Sequence, residues 1–71
     1  MPEVIKAHIT GVVFQIMARA RDAVAAGDPV IELESMKMEI PVEATTAGRV
    51  KEIRVQEGQT VQEGETVAVL E

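Results

Sequence analysis

Residues 47–71 read AGRVKEIRVQEGQTVQEGETVAVLE, and their punctuation decides the fold. Val50, Ile53 and Val55 are β-branched, and Gly58 and Gly64 interrupt at a spacing too short for a helix. Residues 66–70 close the stretch as a short apolar run. The reading is strand, turn, short strand, turn, strand. Upstream, the segment IMARARDAVAAGD is rich in Ala and Arg and would pass as a helix of three turns on propensity alone.

An internal repeat resolves that conflict. Sliding the chain against itself by 37 positions lays residues 1–34 over residues 38–71 without a gap, and ten of the 34 pairs are identical, Gly11/Gly48, Val13/Val50, Gly27/Gly64 and Leu33/Leu70 among them. Composition alone would give about three. The helix-like segment is therefore the counterpart of one interrupted by Gly58, so both copies are read as strands. Residues 30–34 and 39–43 become the two arms of a hairpin whose tip is residues 35–38. In the first arm Val30, Glu32 and Glu34 are expected on one face, and Ile31 and Leu33 on the other. Two such units, each too small to bury its own apolar face, predict an all-β fold: a flattened antiparallel β-barrel or sandwich of two four-stranded sheets related by a pseudo-twofold axis. The chain is one domain over residues 1–71, with repeat units 1–34 and 38–71 and residues 35–37 between them. Its core should be Val, Ile, Leu and Ala, with the chain termini and the hairpin tip at opposite ends. Pro2, Pro29 and Pro41 fall at expected strand starts or edges, where a missing N–H costs least.

Composition excludes several function classes. The chain has no cysteine, so neither disulfides nor thiolate metal sites support its small core, and nothing marks an oxidising compartment. A net charge of −5 argues against nucleic acid as a partner, and Phe14, the one aromatic, is too little for a base-stacking platform. No apolar run approaches the roughly 18 residues needed to span a membrane, and MPEVIK lacks a signal-peptide profile. The expectation is a soluble, cytoplasmic protein; the start at Met1 suggests an independent gene. His8 has no second histidine with which to share a metal and reads as a strand surface residue. Glu32, Glu34, Glu39 and Glu43 gather along the hairpin, which fits either a solvated face or an acidic patch for a partner. Arg19 and Arg21 are too few for a nucleic-acid arm.

ESMKMEIP, residues 34–41, sets Lys37 between Met36 and Met38 at the tip. Neighbours in a strand point to opposite faces, so at least one methionine must be exposed beside the amine, and exposed flexible methionine often marks a recognised surface. The Met-Lys-Met triplet after Glu-Ser, with the paired segments VAAGDPV and VQEGETV, resembles the biotinyl/lipoyl carrier domains, and most closely the short single-domain biotin/lipoyl attachment proteins of the biotin carboxyl carrier type. That resemblance covers nearly the whole chain. It implies a barrel-sandwich hybrid in which Lys37 carries covalent biotin. A biotin protein ligase would read Met36 and Met38, with Ser35, Glu34 and Glu39 beside them. The carrier, itself no enzyme, would shuttle carboxyl groups between a biotin carboxylase and a carboxyltransferase. The copies align without insertion, so the thumb loop of some bacterial carriers should be missing. One residue departs from the family: Arg21 stands where a glycine is common, so that turn either differs from its counterpart or is strained.

Two other readings stand beside this one. A lipoyl carrier of a 2-oxo acid dehydrogenase-like system has a similar lysine hairpin, but typically with Asp-Lys-Ala in place of Met-Lys-Met; modification by both groups, with lipoate attached by a lipoate ligase, belongs to the same reading. An unmodified interaction module resembling the hairpin-barrel domains of membrane-fusion adaptors would carry a long helical hairpin where this chain has three residues.

Overall fold

The computed structural model describes residues 3–71; Met1 and Pro2, and with them the expectation for Pro2, lie outside the described residues. Eight strands follow in order, β1 (Glu3–Lys6), β2 (Gly11–Ile16), β3 (Ala23–Val24), β4 (Pro29–Ser35), β5 (Met38–Glu43), β6 (Gly48–Ile53), β7 (Thr60–Val61) and β8 (Thr66–Leu70). They form two four-stranded antiparallel sheets of order β1-β8-β6-β3 and β5-β4-β2-β7. Advancing by one repeat turns the first order into the second, so the sequence repeat is a structural one. Each sheet interleaves strands of both copies. Each copy pairs only two of its own strands in a sheet and takes the outer two from the other copy, which makes the two halves fold as one unit.

The turns repeat bond for bond. Arg21 N–H donates to the Val50 carbonyl (2.7 Å) and its counterpart Gly58 to Val13 (2.8 Å), while Gly27 donates to Ala44 and Gly64 to Ala7, both at 2.8 Å. All four bonds cross from one copy to the other. The Asp22 carboxylate accepts the Arg19 N–H and the Asp28 carboxylate the Ala25 N–H, each at 2.9 Å. Such local bonds compete with helical ones, and with the pairing of Ala23 and Val24 to β6 they overcome the helix propensity of residues 16–28.

Val, Ile, Leu and Ala fill the core, centred on Val13, Val30, Ile31, Leu33, Val50, Val67 and Leu70, and among the described residues no polar or charged side chain is buried. Val30 departs from the expected alternation. It is fully buried rather than on the outer face with Glu32 and Glu34, because the β4–β5 register slips between Pro29 and Ile31 and turns the bulged residue inward. Pro29 opens β4, and Pro41 lies in the edge strand β5, where no ladder bond is lost.

β2 begins beside the hairpin tip, Val12 opposite Glu34, and ends at Ile16; β6 begins beside the C-terminal end, Val50 opposite Leu70, and ends at Ile53. Ile16 and Ile53, at the far ends of these two strands, line one groove. The tip and the described end residues, Glu3 opposite Leu70, therefore lie toward opposite ends of a body 33 Å long and 17 Å across.

Candidate functional site

The stem of the β4–β5 hairpin is held from below. Leu33 and Ile31, with Val42 across from Ile31, are buried in the core, and the ladder continues through Leu33–Ile40, Glu34–Glu39 and Ser35–Met38. Gly11 of β2 presses against it: a Cβ there would stand 2.8 Å from the Glu34 carbonyl oxygen, too close for any side chain. Its counterpart Gly48 has room, the nearest atom being Leu70 Cδ1 at 3.6 Å. The close approach is thus specific to the lysine hairpin.

Two residues close the tip, Met36 at φ +53° and Lys37 at φ +65°. Positive φ at both central positions is the signature of a type I′ turn, whose twist matches paired strands and which strongly favours Asn-Gly. Each non-glycine residue held in this region costs roughly 1–2 kcal/mol. Strain kept at a solvent-facing turn, where glycine would relieve it, points to a use for the side chains themselves.

Both methionines are exposed, Met36 at 92% and Met38 at 63%. Lys37 is exposed between them, and the salt bridge found among the described residues, Arg54–Glu52 at 3.2 Å, lies elsewhere. Ser35 is half-buried at the end of β4, and Glu34 and Glu39 face each other on the outer side of the sheet. Like charges directly opposite in a sheet destabilise it. The tip thus brings Glu34, Ser35, Met36, Lys37, Met38 and Glu39 together, as their adjacency required. Glu32 lies on the same outer face and Glu43 at the far end of β5.

Other expected residues fall elsewhere. His8 lies in an exposed bend between β1 and β2, not in a strand, because β1 ends at Lys6. Among the described residues no three His, Cys, Asp or Glu side chains are grouped to hold a metal. Arg21 has φ +80°, matching Gly58 at +89°: the first-copy turn keeps the shape of its counterpart and is strained. Two residues near the hairpin escaped the sequence reading. Val12 and Phe14 are exposed on β2, which pairs with β4. Their alternation with buried Val13 was visible, but not the strand beside which they would lie.

The arrangement offers an exposed primary amine on a rigid arm, fit to be approached by another protein. The family profile described as biotin-requiring enzyme, the Biotin_lipoyl domain, matches residues 1–70. A biotinylated protein TB7.3 homolog of Mycobacterium leprae is 40% identical over 70 residues, 99% of each chain. A biotin/lipoyl attachment protein of Bacillus subtilis is 40% identical over 63 residues, 89% of this chain and 86% of the relative. Among solved structures, the Kluyveromyces lactis urea carboxylase superimposes with a TM-score of 0.95 at 38% identity, over 100% of this chain and 6% of that one. With matches over essentially its whole length, the chain belongs to the biotin/lipoyl attachment domain family.

Proposed function

We propose that Lys37 carries covalently attached biotin and that the chain is a carrier which brings the group to a biotin carboxylase and a carboxyltransferase in turn, contributing no catalytic group of its own. The observation that carries this reading is the strained tip: Met36 and Lys37 hold positive φ at a turn where Asn-Gly would fit without strain. The solvent-facing methionines support it as determinants for a biotin protein ligase. The residues also fit the group, since a side-chain amine at the end of a projecting hairpin leaves space for an acyl chain. Met on both sides of Lys37 favours biotin over lipoate.

In the attachment step the Lys37 ammonium first gives up a proton to solvent, and the freed Nζ lone pair attacks the carboxyl carbon of a ligase-held biotinyl adenylate. An amide bond forms, the bond from that carbon to the phosphate oxygen breaks, AMP departs, and a second proton leaves Nζ for solvent. Lys37 loses its positive charge, so the formal net charge of −5 becomes −6. The less hydrated tip enters a partner's pocket more readily. When bound, biotin supplies a site that takes up and gives up a carboxyl group. The hairpin sets its base, while the lysine stem and acyl chain form a tether that holds it near both active sites at high effective concentration.

Intact mass after incubation with biotin ligase, biotin and ATP tests the reading, beside a Lys37→Ala variant and a lipoate-ligase sample. A gain of one biotinyl group in the wild type alone is expected. A lipoyl gain in the parallel sample would extend the specificity to both groups, and no gain from folded protein with either ligase would refute the carrier reading.

A further inference from the structure

The internal repeat provides a control for every surface of the molecule, because each outer face has a counterpart built on the same backbone. On the sheet that bears Lys37, the outer side of β2 presents Val12 and Phe14, exposed at 39% and 47%. The counterparts on β6 are Arg49 and Lys51. Phe14 and Lys51 occupy the same bulge, at the register slips between Val13 and Gln15 and between Val50 and Glu52. The fold therefore accepts charged residues at both positions, and the core needs neither Val12 nor Phe14. Val12 pairs with Glu34, itself opposite Glu39, so the apolar pair adjoins two carboxylates on one continuous face. One face sets an apolar pair beside its carboxylates; its counterpart carries two cations, with Glu71 in the place of Glu34.

Glu34 is three residues from Lys37, roughly 10 Å along the strand, and Val12 is one strand over, about 5 Å further across. An enzyme that acylates the bare lysine must bring its active site to within a side chain's length of the tip backbone, so its surface overlies these neighbours. Later visitors meet a longer tether and can stand further off. We propose that the outer face of β2 and β4, centred on Val12 and Phe14 and edged by Glu34 and Glu39, is the docking surface for the ligase that acylates Lys37, which meets it with an apolar patch bordered by Lys and Arg. This rests on Lys37 being the acceptor. Charge decides against a second copy using the same face, since carboxylates would oppose carboxylates.

The test uses the full chain and a biotin ligase. Val12→Arg with Phe14→Lys installs the residues the counterpart face already carries, Glu34→Lys with Glu39→Lys reverses the rim, and Lys51→Glu alters the opposite face. KM for biotin transfer should rise about tenfold in each of the first two with kcat little changed, and stay at the wild-type value in the third. In the unreactive Lys37→Ala background, ligase affinity should fall by the same factor, and added salt should weaken wild-type binding more than binding of the reversed rim. Wild-type KM and affinity in both face variants would overturn the proposal. If Val12→Arg with Phe14→Lys does not fold, the rim variant decides alone. Association of the wild type by light scattering, abolished by Val12→Arg with Phe14→Lys at unchanged KM, would assign the face to contacts between copies and overturn it too. A wild type that gains no biotin refutes the acceptor reading itself, whereas normal gain with indifferent face variants refutes only the docking surface.

Discussion

Replacing Lys37 with glycine should stabilise the protein and end its use as an acceptor. Lys37 sits at φ +65°, a conformation that costs a non-glycine residue roughly 1–2 kcal/mol. Glycine removes that cost but gives the unfolded chain more freedom, worth about 0.5–1 kcal/mol in the opposite direction. The difference is a gain of about 0.5–1 kcal/mol, or roughly 2–8 °C in Tm for a domain of this size. Adding Met36→Asn should raise it further, since asparagine tolerates the region and the methionine, 92% exposed, gives up almost no burial. Lys37→Arg keeps the backbone cost and should melt with the wild type. Scanning calorimetry checks stability, and intact mass after ligase treatment checks acceptance. If Lys37→Gly, alone and with Met36→Asn, melts at or below the wild type, the tip holds no strain, and the inference from strain to use is refuted.

Two further substitutions exploit the repeat. Arg21→Gly should stabilise by about 0.5–1 kcal/mol on the same reckoning, and the reciprocal Gly58→Arg should destabilise by a similar amount, because a Cβ at Gly58 meets nothing within 4 Å and only its φ of +89° opposes a side chain; urea titration measures both. Gly11→Ala drives a methyl group into the Glu34 carbonyl and should cost about 1–3 kcal/mol, whereas Gly48→Ala meets only ordinary contacts and should lower Tm far less.

The two non-glycine strain points have different settings. At Arg21 the peptide is clamped on both sides: its N–H donates to Val50, and its carbonyl accepts a bond of 2.6 Å from Arg49 Nη1. Arg49 replaces the apolar Val12 of the other copy, so the substitution that charged one outer face also helps to fix a turn lacking its glycine. Among the described residues the tip has no such clamp, and it relies on the ladder beneath it, from Ser35–Met38 down to buried Ile31 and Val42. A stiff stem under a strained closure keeps the Lys37 backbone in one place while leaving its side chain free, which suits a residue that another protein must find.

The sequence by itself determined the all-β class, the repeat, the lysine hairpin and the exposure of at least one of its methionines. These follow from short-range rules: alternation along a strand, glycine spacing, and the impossibility of burying three adjacent tip residues at once. The repeat also carried information across the chain, which is how a segment with helical propensity was recognised as strand. Only the tertiary structure decided that Val30 turns inward, that Arg21 takes a glycine's conformation, that Gly11 lies against the Glu34 carbonyl, and that Val12 and Phe14 stand beside the hairpin. Each depends on pairing between strands distant in sequence. A bulge is a mismatch of register between two strands, and a clamp needs the partner that holds it; neither is written in the residues of one strand alone.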